Sequence, residues 1–258
     1  MITDINPADT TDPWIERRIG KVPPRFRLFC FPYAGGSAGI FRNWADEMAM
    51  HLELCAIQLP GRERRHSEPA LRRPQEAVEI LVRILQPYLD LPFVMFGHSM
   101  GALLAYEVTR GILTNAMLEP RILFVSGRRA PHLPSRKRKL NTLPRNELIA
   151  EIQALNGTPA EVFAHEDLIE LVLPMLRCDL ELVESYTNAA GPLLSCPVIA
   201  MGGSRDLEIS PEEIVGWGSV TTGPFKSMLF EGDHFFINSA RTRLLQTIQR
   251  ELAVIGLE

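Results

Sequence analysis

The chain of 258 residues is poor in the features that bind metal, nucleotide or membrane. Its four cysteines, Cys30, Cys55, Cys178 and Cys196, match no zinc or redox spacing. Cys30 and Cys196 sit in or beside apolar runs, so the four read as reduced core thiols. Neither G-x-G-x-x-G nor a Walker lysine motif occurs, which argues against a nucleotide-phosphate cradle. The net charge of −4 argues against general nucleic-acid binding. The longest uncharged apolar stretch, Leu91 to Tyr106, is interrupted by Gly97-His98-Ser99, so no membrane span is expected. Met1 to about Lys21 carries Asp4, Asp9 and Asp12 and has no basic-then-apolar leader, so neither a signal peptide nor a location outside the cytoplasm is expected. Internal repeats and low-complexity tracts are absent as well.

What is present is a hydrophobic content of 46%, enough for one sizeable core. Apolar runs near 26–32, 53–58, 93–97, 121–126, 197–201 and 225–230 read as strands. Helical patterns lie near 37–50, 74–89, 100–113 and 235–254. Their alternation predicts an α/β fold with a mostly parallel sheet and flanking helices. Residues 1–25 read as a flexible segment and 26–258 as the folded domain. Between 130 and 192 about sixty residues separate two strands, too many for a structureless loop, so this insertion should contain helices. Leu168, Leu171, Val172, Met175, Leu176, Leu182, Val183 and Tyr186 recur there at helical spacing, as in a lid resting on the domain. Asp179 falls on the same stripe and is expected to pair with an arginine, such as Arg177 or Arg128, rather than to act in catalysis.

Gly97-His98-Ser99-Met100-Gly101 has the form G-x-S-x-G, between the strand Phe93–Phe96 and the helical run from Ala102. A sharp strand-to-helix turn of that kind projects its serine hydroxyl and leaves no room for Cβ atoms at the glycines. Ser99 is therefore a candidate nucleophile. A serine hydroxyl needs a base to take its proton, and the base needs a partner to fix its tautomer. Two later strands supply both: Pro197–Met201 runs into Gly202-Gly203-Ser204-Arg205-Asp206, and Lys226–Phe230 into Glu231-Gly232-Asp233-His234. The order Ser99, Asp206, His234 is that of α/β-hydrolases. No carboxylate follows the strand 121–125 to compete with Asp206, and Asp233, adjacent to His234, reads as a turn former or a supporting residue. His98 reads as packed or hydrogen-bonded within the turn, while His51, His66, His132 and His165 lack strand-end context. For the oxyanion, the backbone N–H of Met100 is one donor, and that of Ala34, in the glycine-rich turn after the strand 26–32, is the best second.

Four motifs, Phe31-Pro32-Tyr33-Ala34-Gly35-Gly36-Ser37-Ala38, Leu59-Pro60-Gly61-Arg62-Glu63, Gly97-His98-Ser99-Met100-Gly101 and Gly232-Asp233-His234-Phe235-Phe236, occur in that order. Together they resemble the type II thioesterases of nonribosomal peptide and polyketide pathways, over about residues 26 to 250. The resemblance implies an α/β-hydrolase fold with a helical lid at about 130–192. It implies hydrolysis of acyl, aminoacyl or acetyl groups from the 4′-phosphopantetheine arm of a carrier protein. It places Ser99, Asp206 and His234 as the triad and Ala34 and Met100 at the oxyanion positions. The expected partners are carrier proteins or domains of such synthases, with no nucleic acid, no metal and no cofactor beyond the partner's own arm. The basic run Arg136-Lys137-Arg138-Lys139 reads as a solvated face or as a rim that steers an acidic carrier. A small-ester esterase or acyltransferase of the same fold, or a non-catalytic carrier-binding protein, remain as alternatives, since fold and elbow do not select an acyl donor.

Overall fold

Apolar strands that must hide both faces from water form the centre of the structure, a computed structural model describing residues 12–19, 23–48, 51–135, 138–157 and 163–257. Strands β1 (Ile15–Ile19), β2 (Phe26–Phe31), β3 (Leu52–Ile57), β4 (Phe93–His98), β5 (Leu123–Ser126), β6 (Val198–Gly203) and β7 (Phe225–Phe230) form one sheet. Their order is β1-β3-β2-β4-β5-β6-β7, with β1 antiparallel to β3 and every other pair parallel. β2 through β6 are buried along their whole length. β7, an edge strand, buries only Phe230.

Side chains alternate across this sheet and divide the core in two. Phe29, Phe31, Met95, Val125 and Ala200 face the layer of α2 (Pro74–Leu85) and α3 (Met100–Ala116). Phe26, Leu28, Phe96, Phe124 and Met201 face α1 (Trp44–Met48) and the C-terminal helices α7 (Phe236–Ser239) and α8 (Arg241–Val254). This is the mostly parallel, helix-flanked α/β fold that the alternation predicts.

Three details differ from the sequence reading. The segment 1–25, read as flexible, contributes β1, whose backbone pairs with β3 from Ile15↔Ile57 to Ile19↔Glu53. Only Ile15 of that strand is buried, so it carries too short an apolar pattern to be read as a strand. The helix expected over 37–50 is a 3-10 turn at Ala38–Phe41 followed by α1. The insertion holds α4 (Arg145–Ala154) and α5 (Glu166–Glu184) among the described residues, and α5 buries Ile169, Leu176, Cys178, Asp179 and Leu182. Leu168 and Leu171 of the expected apolar stripe are exposed at its outer face.

Because β2, β4, β6 and β7 are parallel, the loops that follow them emerge on one edge of the sheet. Those loops carry Ala34, Ser99, Asp206 and His234. α6 (Pro211–Val215), capped by Ser210 and Glu213 in a reciprocal capping box, closes the loop behind Asp206.

Candidate active site

The turn between β4 and α3 holds Ser99 at φ 54°, ψ −112°, one of four positive-φ residues other than glycine among the described residues. Strain of this kind persists only where the surroundings enforce it. Here they do so by close packing: a Cβ on Gly97 would lie 2.0 Å from the carbonyl oxygen of Gly101, and one on Gly101 2.0 Å from that of Phe31. The two glycines thus serve close backbone approach, which lets α3 start directly against β4 and β2.

The structure brings Ser99, His234 and Asp206 into one relay. His234 Nε2 lies 3.0 Å from Ser99 Oγ, and His234 Nδ1 lies 2.8 Å from Asp206 Oδ2. The carboxylate can only accept, so Nδ1 carries the imidazole proton and Nε2 is left to accept from the serine hydroxyl. Asp206 is fully buried in its side chain, and its other oxygen accepts the backbone N–H of Glu208 at 2.7 Å. Asp233 stands outside the relay, accepting the N–H of Phe235 at 2.9 Å as a turn former. The backbone N–H groups of Ala34 and Met100 donate to no acceptor among the described residues, which leaves both free for a developing oxyanion.

His98 supports the relay from behind. It is wholly buried, with Nδ1 2.9 Å from Ser126 Oγ and Nε2 2.9 Å from the backbone carbonyl of His234. That carbonyl only accepts, so Nε2 of His98 carries the proton and Nδ1 accepts from Ser126. Burial pulls the His98 imidazole well below its ordinary value, with the nearby His234 adding to the effect. The elbow histidine therefore fixes the backbone of the loop that carries His234, a role its position alone does not reveal. His51, His66 and His132 bond instead to Pro23 O, Glu63 O and Ser219 Oγ.

A cavity of about 390 Å³ opens onto Ser99 and His234. Its lining is mostly apolar, from Ile152 of α4, Val172, Leu176 and Val183 of α5, and Ile40 and Phe235 of the domain. Arg128 also lines it, and its guanidinium meets no carboxylate among the described residues. Burial pulls Arg128 down to about 10, with the like charge of Arg129 adding to the effect.

Asp179 pairs with an arginine, as expected, but with Arg62 and not with Arg177 or Arg128. Its carboxylate is held by Arg62, at 2.7 and 2.9 Å, and accepts the N–H of Gly35 at 2.8 Å. Arg177 instead donates to the carbonyls of Asn141 and Leu143. The helical phase of α5 explains the difference, since Asp179 shares the buried side with Leu176 and Leu182 while Arg177 points toward the loop before α4. In the basic run, Arg136 and Lys137 lie outside the described residues. Arg138 is tied to Glu147 and Glu151 of α4 and lines the cavity. The described residues include no cluster of three or more metal-ligating side chains and no helix long and apolar enough to cross a membrane.

Comparison with known proteins adds a family. The thioesterase-domain profile matches residues 26–252. The gramicidin S biosynthesis protein GrsT of Aneurinibacillus migulanus is 37% identical, over 90% of this chain and 90% of its own. Thioesterase PikA5 of Streptomyces venezuelae is 35% identical over 93% of this chain and 86% of its own. The solved structure of the type II thioesterase BorB from the borrelidin biosynthetic cluster superimposes with a TM-score of 0.87 at 35% identity, covering 94% of this chain and 99% of that one. The chain belongs to the thioesterase family and has its α/β-hydrolase fold.

Proposed function

We propose that this enzyme clears acyl and aminoacyl groups from the 4′-phosphopantetheine arm of carrier proteins or domains in nonribosomal peptide or polyketide synthesis, as an editing thioesterase. The observation that carries the proposal is the Ser99–His234–Asp206 relay opening into a mostly apolar cavity roofed by α4 and α5. Kinship with GrsT, PikA5 and BorB supports the pathway context.

In this reading His234 Nε2 takes the Ser99 proton as Oγ attacks the thioester carbonyl, and Asp206 stabilises the imidazolium that forms. The carbonyl oxygen, now anionic, turns to the N–H groups of Ala34 and Met100. His234 returns its proton to the departing pantetheine thiolate and leaves Ser99 acylated. Water, deprotonated by the same imidazole, releases the free acid and restores the serine. The reaction needs no cofactor of the enzyme's own, and the apolar lining keeps bulk water from the acyl chain.

The test compares acyl release from an acylated carrier protein with hydrolysis of the matching p-nitrophenyl ester. A carrier-clearing enzyme acts on the carrier with the higher kcat/KM and loses both activities in Ser99→Ala. Preference for the free ester would point to a small-ester esterase, and carrier binding without turnover to a non-catalytic binding protein.

A further inference from the structure

We infer that Asp179 and Arg62 are positioning residues that hold the oxyanion loop to helix α5, so that the Ala34 donor is in place only while the helix rests on the loop. The inference deepens the proposed function and rests on its acyl-transfer chemistry.

The geometry is a closed set of ties. Asp179 is 1% exposed and Arg62 5%, and their two-pronged ion pair joins α5 to the Leu59–Glu63 loop. Both partners then reach the same third element. Asp179 Oδ2 accepts the N–H of Gly35, the residue after Ala34, at 2.8 Å. Arg62 Nη1 donates to the carbonyl of Gly36 at 2.8 Å. Thus the peptide units on either side of Gly35 and Gly36 are fixed by side chains from outside the loop.

The loop has little of its own to hold it. Gly35 adopts φ +80°, open to a residue without a Cβ, and one turn hydrogen bond, from Gly36 N–H to Tyr33 O, spans it. Leu176 Cδ1 lies 3.2 Å from where a Cβ on Gly35 would stand, so α5 also presses directly on the turn. Ala34 itself packs against the small cluster of Leu148, Ile152 and Leu176. The Ala34 N–H shares its peptide plane with the Tyr33 carbonyl, which accepts the Gly36 N–H at 2.9 Å, so the torsions at Gly35 and Gly36 bear on that plane through this bond. By contrast, the Met100 N–H is set by the start of α3 and needs no such help.

A buried carboxylate on a helix that covers an active site has a purely structural alternative, namely that it only secures the helix. Two measurements separate the roles. The first uses an alkyl trifluoromethyl ketone, to which Ser99 Oγ adds while its proton passes to His234, leaving the ketone oxygen as an anion in the hole. The second uses the matching alkyl thioether of pantetheine, which fills the cavity and forms no oxyanion.

In Asp179→Asn and in the double variant Arg62→Met/Asp179→Leu, ketone affinity and kcat should fall together by about 10- to 100-fold, with thioether affinity and KM changing less than about threefold, since a misplaced donor loses part of what a deleted one does. The double variant removes both charges and replaces them with apolar groups of similar bulk, so it keeps the helix docked even where the single change does not. Ketone affinity at the wild-type level in a folded double variant would overturn the inference and leave the pair as a helix tether. Loss of thioether and ketone affinity in equal measure would also overturn it, as general damage to the cavity. Wild-type protein that binds the ketone but turns over no thioester would sink the proposed substrate instead, while the ketone series still decides the positioning role.

Discussion

Replacing Asp206 by asparagine should remove most turnover without unfolding the protein, and the structure says why. One oxygen of Asp206 accepts the Nδ1 proton of His234 at 2.8 Å, and the other accepts the Glu208 N–H at 2.7 Å. An asparagine of the same size has one acceptor oxygen and one donor amide. The Glu208 N–H is a fixed donor, so the amide oxygen stays with it and the NH₂ turns to the imidazole. His234 must then present a lone pair at Nδ1 and carry its proton on Nε2, where it can no longer take the proton of Ser99. Loss of the productive tautomer should lower kcat by roughly 10³–10⁴, about 4–5.5 kcal/mol of barrier.

Asp233→Asn is the control, because its single bond to the Phe235 N–H needs only an acceptor oxygen, which asparagine retains. Its kcat should fall by less than about tenfold, in keeping with one retained neutral hydrogen bond. Thiol release from an acyl-pantetheine substrate, followed with a chromogenic thiol reagent beside thermal melts, measures both variants. An Asp206→Asn enzyme within tenfold of wild type, or a reversed ranking of the two aspartates, would refute the reasoning.

Other consequences follow from the same contacts. Ser99→Ala should abolish turnover at nearly unchanged Tm, whereas Ser99→Gly should be equally inactive yet melt higher, since glycine relieves strain of about 1–3 kcal/mol at a φ of this kind; a lower Tm for the glycine variant would show the turn to be unstrained. His98 is held neutral in the fold, so the unfolded chain binds the extra proton below about pH 6.5 and stability falls with acid by up to about 1.4 kcal/mol per pH unit, with the full contribution present above that pH. Urea unfolding between pH 7.5 and 5 should therefore show a steep acid limb that flattens in His98→Gln, and an equal slope in both proteins would count against it. Arg128→Met removes a partly buried cation that no carboxylate among the described residues offsets, so Tm should hold or rise by a few degrees; a clear drop in a thermal melt would count against that reading.

The juxtaposition of Ser99, His234 and Asp206 was legible because a parallel sheet reduces a three-dimensional question to a one-dimensional one. Once β4, β6 and β7 are recognised as strands, the residues just past their ends must share an edge, and Ser99, Asp206 and His234 are found there by counting. The elbow glycines and the helical insertion follow from equally local patterns. β1 escaped because an edge strand with one buried residue has no alternation to read. The partner of Asp179 escaped for a different reason. Arg62 is 117 positions away, and although it stands in the Leu59–Glu63 motif, nothing in that motif says which carboxylate it meets. Its selection depends on the docking of α5 against the Leu59–Glu63 loop, a matter of tertiary packing. A carboxylate in the buried phase of an apolar helix does signal that some cation must meet it, without naming which.

The motifs that carry the family resemblance are separate in the chain and joined in space. Glu63 accepts from the Ser37 hydroxyl at 2.6 Å, and Arg62 holds Gly36, so the second motif braces the first. His98 of the third motif holds the backbone of His234 in the fourth, and Gly101 admits the backbone of Phe31. The two halves of the site are supported by different means. Ser99 and Asp206 stand at the ends of buried strands, His234 follows the edge strand β7 on a backbone tie to His98, and none of the three bonds to a side chain of α4 or α5 among the described residues. The Ala34 loop depends on side chains that arrive from α5 and from Arg62, so a change in lid packing reaches catalysis first through the stabilisation of the oxyanion and only afterwards through the nucleophile.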